Sequence, residues 1–385
     1  MTVLVAASGC ILIFIVLWDA FETIVLPRRV TRRIRLTRLF YYYTWKPWAA
    51  LARRMPRSKR RDSYLGFYGP LSLLVLISIW AIGLIFGFAM LQLALGVKLN
   101  VAEEASSFGT YLYMSGTTFF TLGLGDVTPV ARVGRFLAVV EAGIGFGFLA
   151  MVIGYLPVHY QAFSRREVNI SMLDARSGSP SSPTELLRRH AACGNMNELG
   201  EFLRDWERWS AELMESHLSY PVLCYFRSQH DNQSWLVALT TILDTCALVM
   251  VGVDGAPAWQ ARLTFAMARH AVVDLAQIFY TPPVTPDPDR LPPDDLSRLR
   301  LSLAASGIPL RDGEAADQKL LELRRMYEPY VYALAQYLFT PLPVWILQKD
   351  KDAVDNWQTS AWERRSAGAT AATLAIGIRD EEHSY

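Results

Sequence analysis

Ser115-Gly-Thr-Thr-Phe-Phe-Thr-Leu-Gly-Leu-Gly-Asp-Val-Thr-Pro129 is the stretch on which the reading of this chain turns. Gly123 and Gly125 are separated by one residue, and glycine adopts positive φ without a steric cost. A backbone that alternates hand at such positions can turn successive carbonyl oxygens toward one axis. Rings of carbonyl oxygens are what replaces the hydration shell of a cation in a narrow pore. Thr121 places a hydroxyl at the inner end of this run and Asp126 a carboxylate at its outer end. Upstream, residues 108–120 predict a short helix whose C-terminal dipole end favours a cation beyond it.

Working outward, the flanks are two apolar segments. Residues 70–95 carry no charge, enough to cross ~30 Å of hydrocarbon. Residues 136–157 are apolar apart from Glu141 and rich in glycine, with Gly143, Gly145, Gly147 and Gly154. Residues 108–126 are too short and too polar to span. Their threonines and serine fit a re-entrant segment, which is tolerated at membrane depth only when covered by protein or facing a wet cavity. A third apolar segment, residues 3–26, has its basic flank after it rather than before it. It therefore reads as a retained helix and not as a signal peptide. Between Pro27 and Arg61 there are 13 Lys/Arg and no acid. The positive-inside rule then puts that block and Arg165/Arg166 in the cytosol, with the N-terminus outside. The expected location is the cell membrane, as a multi-pass protein.

The run Thr121-Leu-Gly-Leu-Gly-Asp126, set between two spans, resembles the selectivity filter of potassium channels of the single-pore-loop, bacterial type, usually Thr-Val-Gly-Tyr-Gly-Asp. The resemblance covers roughly residues 65–160. It implies an outer helix, a pore helix, a filter and an inner helix, assembled as a homotetramer because one loop supplies a quarter of a filter. It implies that Thr121, Leu122, Gly123, Leu124 and Gly125 bind the ion, K⁺ being the transported species. Asp126, Thr117, Thr118 and Glu141 would support the filter or its outer mouth, with Gly143, Gly145 and Gly147 as the inner-helix hinge. Two positions depart from the family pattern. Leu124 stands at the usual aromatic and Leu122 at the usual valine, although the second pore loops of animal two-pore-domain channels often carry the same Gly-Leu-Gly-Asp. A weakly selective cation pore, and a membrane-anchored sensor or enzyme with a vestigial pore, are the alternatives.

Glu141 is an ionisable group within a span, and such groups are functional candidates by default. The simplest reading makes it a brace to Thr117, Thr118 or a neighbouring subunit. Arg29, Arg32, Arg35 and Arg38 recur every third residue. Their place after Pro27 and before Tyr41–Tyr43, Trp45 and Trp48 favours an interfacial helix against anionic lipids over a voltage sensor. Asp19 and Glu22 would pair with these arginines.

Beyond Arg166 the composition becomes that of a soluble region. Residues 174–183 read as a Ser/Pro/Gly linker. Helical patterns follow at 184–228, 234–251, 257–280, 295–306 and 315–338, with a proline-rich break at 281–293. Residues 234–253 approach the length of a span, and Asp244 at their centre favours a buried helix of a soluble domain. His190, His217, His230-Asp231 and Asp244 follow the ligand order of metal phosphohydrolases without convincing spacing. No dinucleotide fingerprint is present. Cys10, Cys193, Cys224 and Cys246 are far apart and read as reduced thiols.

The expected protein is thus an all-α membrane protein with three transmembrane helices and a re-entrant pore segment, followed by an all-α cytosolic domain. Its parts are residues 1–27 (first span), 28–64 (basic interfacial segment), 65–160 (pore module), 161–183 (linker) and 184–385 (cytosolic domain). No enzyme activity, no cofactor, no metal beyond K⁺ and no nucleic acid is expected. Whether the cytosolic domain binds a ligand stays open. Gating is expected at a constriction around residues 153–157, driven through residues 159–167.

Overall fold

The computed structural model describes residues 2–26, 35–56, 58–101, 107–192, 196–229 and 233–347. Arg29, Arg32, Cys193, His230, Asp231 and residues 348–385 lie outside the described residues. Among the described residues the structure is helical, with two isolated antiparallel bridges, Leu99 to Pro129 and Val253 to Leu310, and no strand. The chain divides into two compact units. One is Met1–Gln161 with Val222–Phe226, and the other is Ala162–Pro221 with Arg227–Tyr385.

The first unit holds α1 (Thr2–Ala20) with its π-helical extension (Phe21–Val25), α2 (Leu36–Arg54), α3 (Lys59–Ala94), α4 (Phe108–Phe119) and the start of α5 (Arg132–Ser177). Thr2–Val25, α3 and α5 are long and apolar enough to cross a membrane. So, by length and composition, is α8 (Trp235–Gly252) in the second unit. The four differ in burial: 89% of the α8 window is enclosed by protein, against 22%, 44% and 17% for the other three. Helix α8 thus has little surface left for lipid.

At 1.5 Å per residue, α3 is about 54 Å and α5 about 69 Å long. Both exceed the ~30 Å hydrocarbon layer. The prolines that bound the spans in the sequence reading, Pro70 and Pro157, both lie inside these helices. An interior proline removes one ladder bond at a cost of about 3 kcal/mol. Packing on either side offsets this: Tyr68 and Ser72 are buried around Pro70, and Tyr155 and His159 around Pro157.

Helix α1 lies along α3 where both backbones are bare. A Cβ on Gly9 would sit 2.7 Å from the Gly87 carbonyl oxygen, and one on Gly87 would sit 2.6 Å from Ile13 Cγ1. Gly83 and Gly87 form the small-xxx-small spacing that lets membrane helices approach closely. Asp19 is fully buried and is satisfied by the Thr37 amide at 3.1 Å and the Trp80 indole N–H at 3.0 Å. Among the described residues, the arginine pairing expected of Asp19 and Glu22 is seen at Glu22, which meets Arg35 at 3.3 Å.

In the second unit, α8 is surrounded by α6 (Pro183–Ala192), α9 (Ala258–Ile278), α11 (Glu314–Arg325) and α12 (Glu328–Leu338), with α7 (Met196–Ser219) and α10 (Pro293–Ala304) completing the bundle. Asp244 is a core ion-pair partner: Arg290 Nη2 donates to it at 2.7 Å and the Tyr327 hydroxyl also donates to it. Arg290 Nη1 reaches on to Glu328 at 2.9 Å, and Arg324 pairs with Glu328 at 3.0 Å. Burial pushes the Tyr327 hydroxyl well above the usual phenol range, so it stays a donor to Asp244. The stretch read as a linker is helical through Ser177. In its remainder the Ser182 hydroxyl donates to the Trp345 carbonyl at 2.9 Å, as does the Thr184 hydroxyl of α6 just beyond it at 2.6 Å.

Candidate functional site

Helix α4 starts from a capping box in which Ser107 and Thr110 satisfy each other's backbone N–H groups. It ends where Thr121 turns to φ 55°. The following loop folds back over the helix C-terminus. Phe120 N donates to the Gly116 carbonyl at 3.1 Å, Thr121 N to Thr118 at 3.0 Å, and Leu122 N to Thr117 at 2.8 Å. Three of the four terminal carbonyls that a helix leaves open are thereby taken by backbone N–H groups of the helix end and loop.

Positive φ then recurs at every second residue: Thr121 at 55°, Gly123 at 56° and Gly125 at 80°. Around both glycines a Cβ would meet nothing within 4 Å, so it is the backbone hand that requires glycine there. Leu122 and Leu124, between them, are 62% and 64% exposed within the single chain. The Tyr113 hydroxyl on α4 donates to Asp126 Oδ2 at 2.7 Å, tying the outer end of the loop to the short helix. Beyond it, residues 128–130 run antiparallel to residues 98–100. Asn100 N donates to the Thr128 carbonyl at 3.0 Å, and Val130 N to the Lys98 carbonyl at 2.9 Å.

Helix α5 backs the short helix. A Cβ on Gly145 would clash with the Phe119 carbonyl oxygen and lie 2.8 Å from its carbon. Helices α4 and α5 run in the same direction at this contact, so one turn earlier on each brings Glu141 opposite Ser115. Glu141 is fully buried, accepts from Gln92 Nε2 at 3.0 Å and is hydrogen-bonded to the Ser115 hydroxyl. That hydroxyl also lies 2.8 Å from the Ile85 carbonyl on α3. One carboxyl group thus joins outer, short and inner helices. Two of the partners expected for it, Thr117 and Thr118, lie two and three residues further along α4, and the Thr117 hydroxyl bonds back to the Met114 carbonyl at 2.9 Å.

Gly143 and Gly147 meet nothing within 4 Å, and α5 is unbroken across all three glycines. Ser115, Gln92 and Tyr113 were missed as site residues. Gln92, a lone amide near the end of an uncharged segment, is the one that carried a signal. Among the described residues no cluster of metal-ligating side chains exists. His190 bonds to the Leu186 carbonyl at 2.8 Å and His217 faces Arg166 at 3.2 Å, well apart from each other in role.

Outer helix, short helix, alternating loop and backing inner helix make up the pore-loop architecture of ion channels. The chain belongs to the ion channel family, whose domain matches residues 73–158. It is 34% identical to the protein LctB of Bacillus caldotenax, over 21% of this chain and 67% of LctB. It is 35% identical to LctB of Geobacillus stearothermophilus over the same shares. A longer similarity, at 21% identity, covers 64% of this chain and 70% of the uncharacterized membrane protein YdjJ of Bacillus subtilis. No solved structure matches the chain significantly.

Proposed function

We propose that four copies of this chain surround one axis and form a passive, potassium-preferring channel, with Thr121 to Gly125 as the ion-binding filter. The observation that carries this reading is the alternation of backbone hand at Thr121, Gly123 and Gly125. Alternation at every second residue can present successive carbonyls to an axis, and carbonyl rings of that kind coordinate a dehydrated cation. Four chains are needed because one loop supplies one wall.

Two supports hold the filter in this account. The Tyr113–Asp126 hydrogen bond fixes its outer end, taking the place of the aromatic hydroxyl that Leu124 lacks. The Glu141–Ser115–Gln92 cluster and the Gly145–Phe119 contact fix the short helix from behind. The basic segment at 28–64 lies against anionic headgroups on the cytosolic side, and the second unit is cytosolic. Opening bends α5 within residues 143–147 and widens the pore below, around residues 153–157.

The test is ion flux from liposomes holding purified protein, with Gly123→Asp as the comparison. K⁺ efflux that exceeds Na⁺ efflux and vanishes in the variant supports the reading. Equal K⁺ and Na⁺ efflux would replace it with a general cation pore. Silence from intact tetramers, with full cellular function of Gly123→Asp, would replace it with a membrane-anchored sensor.

A further inference from the structure

The segment Val222–Phe226 belongs to the first unit, although the chain on both sides of it, through Pro221 and from Arg227, belongs to the second. A short 3-10 turn, Pro221–Tyr225, closes it, and Phe226 N donates to the Leu223 carbonyl at 3.1 Å. Tyr225 is buried among aromatic rings of α2 and α3. It stacks on Tyr41 with ring centroids 5.9 Å apart and planes 9° apart, and meets Trp45 at 4.8 Å and Tyr68 at 5.0 Å. Phe226 lies on the bare backbone of Gly69, where a Cβ would come within 2.7 Å of its ring. Gly69 directly precedes Pro70 and lies one turn before residue 73, where the ion channel match begins. Within the first unit, Tyr225 and Phe226 of this segment thus pack on α2 and α3.

We infer that Val222–Phe226 is a strap that fastens the helical domain to the base of outer helix α3, with Tyr225 as its anchor and Gly69 as its seat. The domain already joins the inner helix covalently through α5, whose residues belong to the first unit up to Gln161 and to the second from Ala162. The strap supplies a second attachment, to the other helix of the pore. A displacement of the domain then acts on both pore helices and not on the inner one alone. Aromatic contacts suit this role, because offset and edge-on rings hold geometry as well as burying area.

The consequence for gating rests on the channel reading; the fastening itself does not. The experiment is hydrogen–deuterium exchange on the full chain in nanodiscs, for wild type, Tyr225→Ala, Tyr225→Phe and Gly69→Val, paired with K⁺ flux from liposomes. Expected for Tyr225→Ala and Gly69→Val is a rise of roughly tenfold or more in exchange at residues 222–226 and at the base of α3, residues 64–70. Tyr225→Phe, which keeps the ring, should exchange like wild type. K⁺ flux should change severalfold in the first two variants with unchanged K⁺/Na⁺ preference. Unaltered exchange at residues 64–70 in both variants would overturn the strap. Raised exchange with unaltered flux would overturn its coupling to the pore. A wild type without flux would remove the channel reading, while the exchange data would still decide the fastening.

Discussion

Replacing Gly145 by alanine tests whether this glycine serves close packing or bending. Ordinary carbon contacts begin near 3.4 Å, and an alanine Cβ would stand 2.8 Å from the Phe119 carbonyl carbon, a deficit of 0.6 Å at that atom and more at its oxygen. Both partners are helix backbone, so no flexible side chain can move aside. Overpacking of this kind costs about 1–3 kcal/mol per subunit. The displaced residue matters because Phe119 is flanked by the carbonyls of Thr117 and Thr118, which hold the N–H groups of Leu122 and Thr121. Gly145→Ala should therefore lower the unfolding temperature in detergent and also weaken K⁺/Na⁺ discrimination. Gly143→Ala and Gly147→Ala are the controls, since each added Cβ meets nothing within 4 Å in the chain. Alanine in a helix interior gains up to about 1 kcal/mol over glycine, so these should be neutral or slightly stabilising. If Gly145→Ala unfolds with Gly147→Ala and keeps wild-type discrimination, the packing argument is refuted. A change in open fraction alone would then mark Gly145 as a hinge.

Three further outcomes follow from buried polar groups. Glu141→Leu strands the Gln92 amide, costing about 1–3 kcal/mol, while the Ser115 hydroxyl keeps the Ile85 carbonyl as its acceptor. Glu141→Gln, which both donates and accepts, should recover most of that loss in thermal unfolding. Arg290→Leu leaves the fully buried Asp244 without its cation and should destabilise the helical domain by about 3–5 kcal/mol. The double variant Asp244→Leu/Arg290→Leu should unfold at a higher temperature than Arg290→Leu, and the reverse order would show that the pair is not what matters. The His217 imidazole is buried, and burial first, then the Arg166 guanidinium, holds it well below the ordinary 6.5. The unfolded chain takes up that proton more readily. The stability it contributes is therefore full above pH 6.5 and is lost as pH falls below it. Denaturant unfolding of His217→Gln should show a flatter loss on acidification than wild type.

Much of the pore region could be read from residue types because the physics there is local. Positive φ at Gly123 and Gly125 follows from spacing alone, and both are observed. Thr121 at φ 55° carried no such signal, because a β-branched residue rarely adopts that hand and is held here by the bond to Thr118. Glu141 was legible as a brace but not its partners, since choosing Ser115 over Thr117 requires the register of α4 against α5. That register is set by the Gly145–Phe119 approach, a tertiary fact. The apolar segments were bounded at residues 70 and 157, and packing carries both helices past these prolines. Asp244 pointed correctly to a protein-enclosed helix. Arg290, 46 positions later, could not be named as its partner, because ion pairs across a bundle leave no periodic trace.

Potassium-selective conduction through the Thr121–Gly125 loop is decided by the reversal potential in planar bilayers under opposed K⁺ and Na⁺ gradients. A value close to the potassium equilibrium potential is expected, with the current abolished by Gly123→Asp. A robust current reversing near zero, or a current that survives Gly123→Asp, would contradict it.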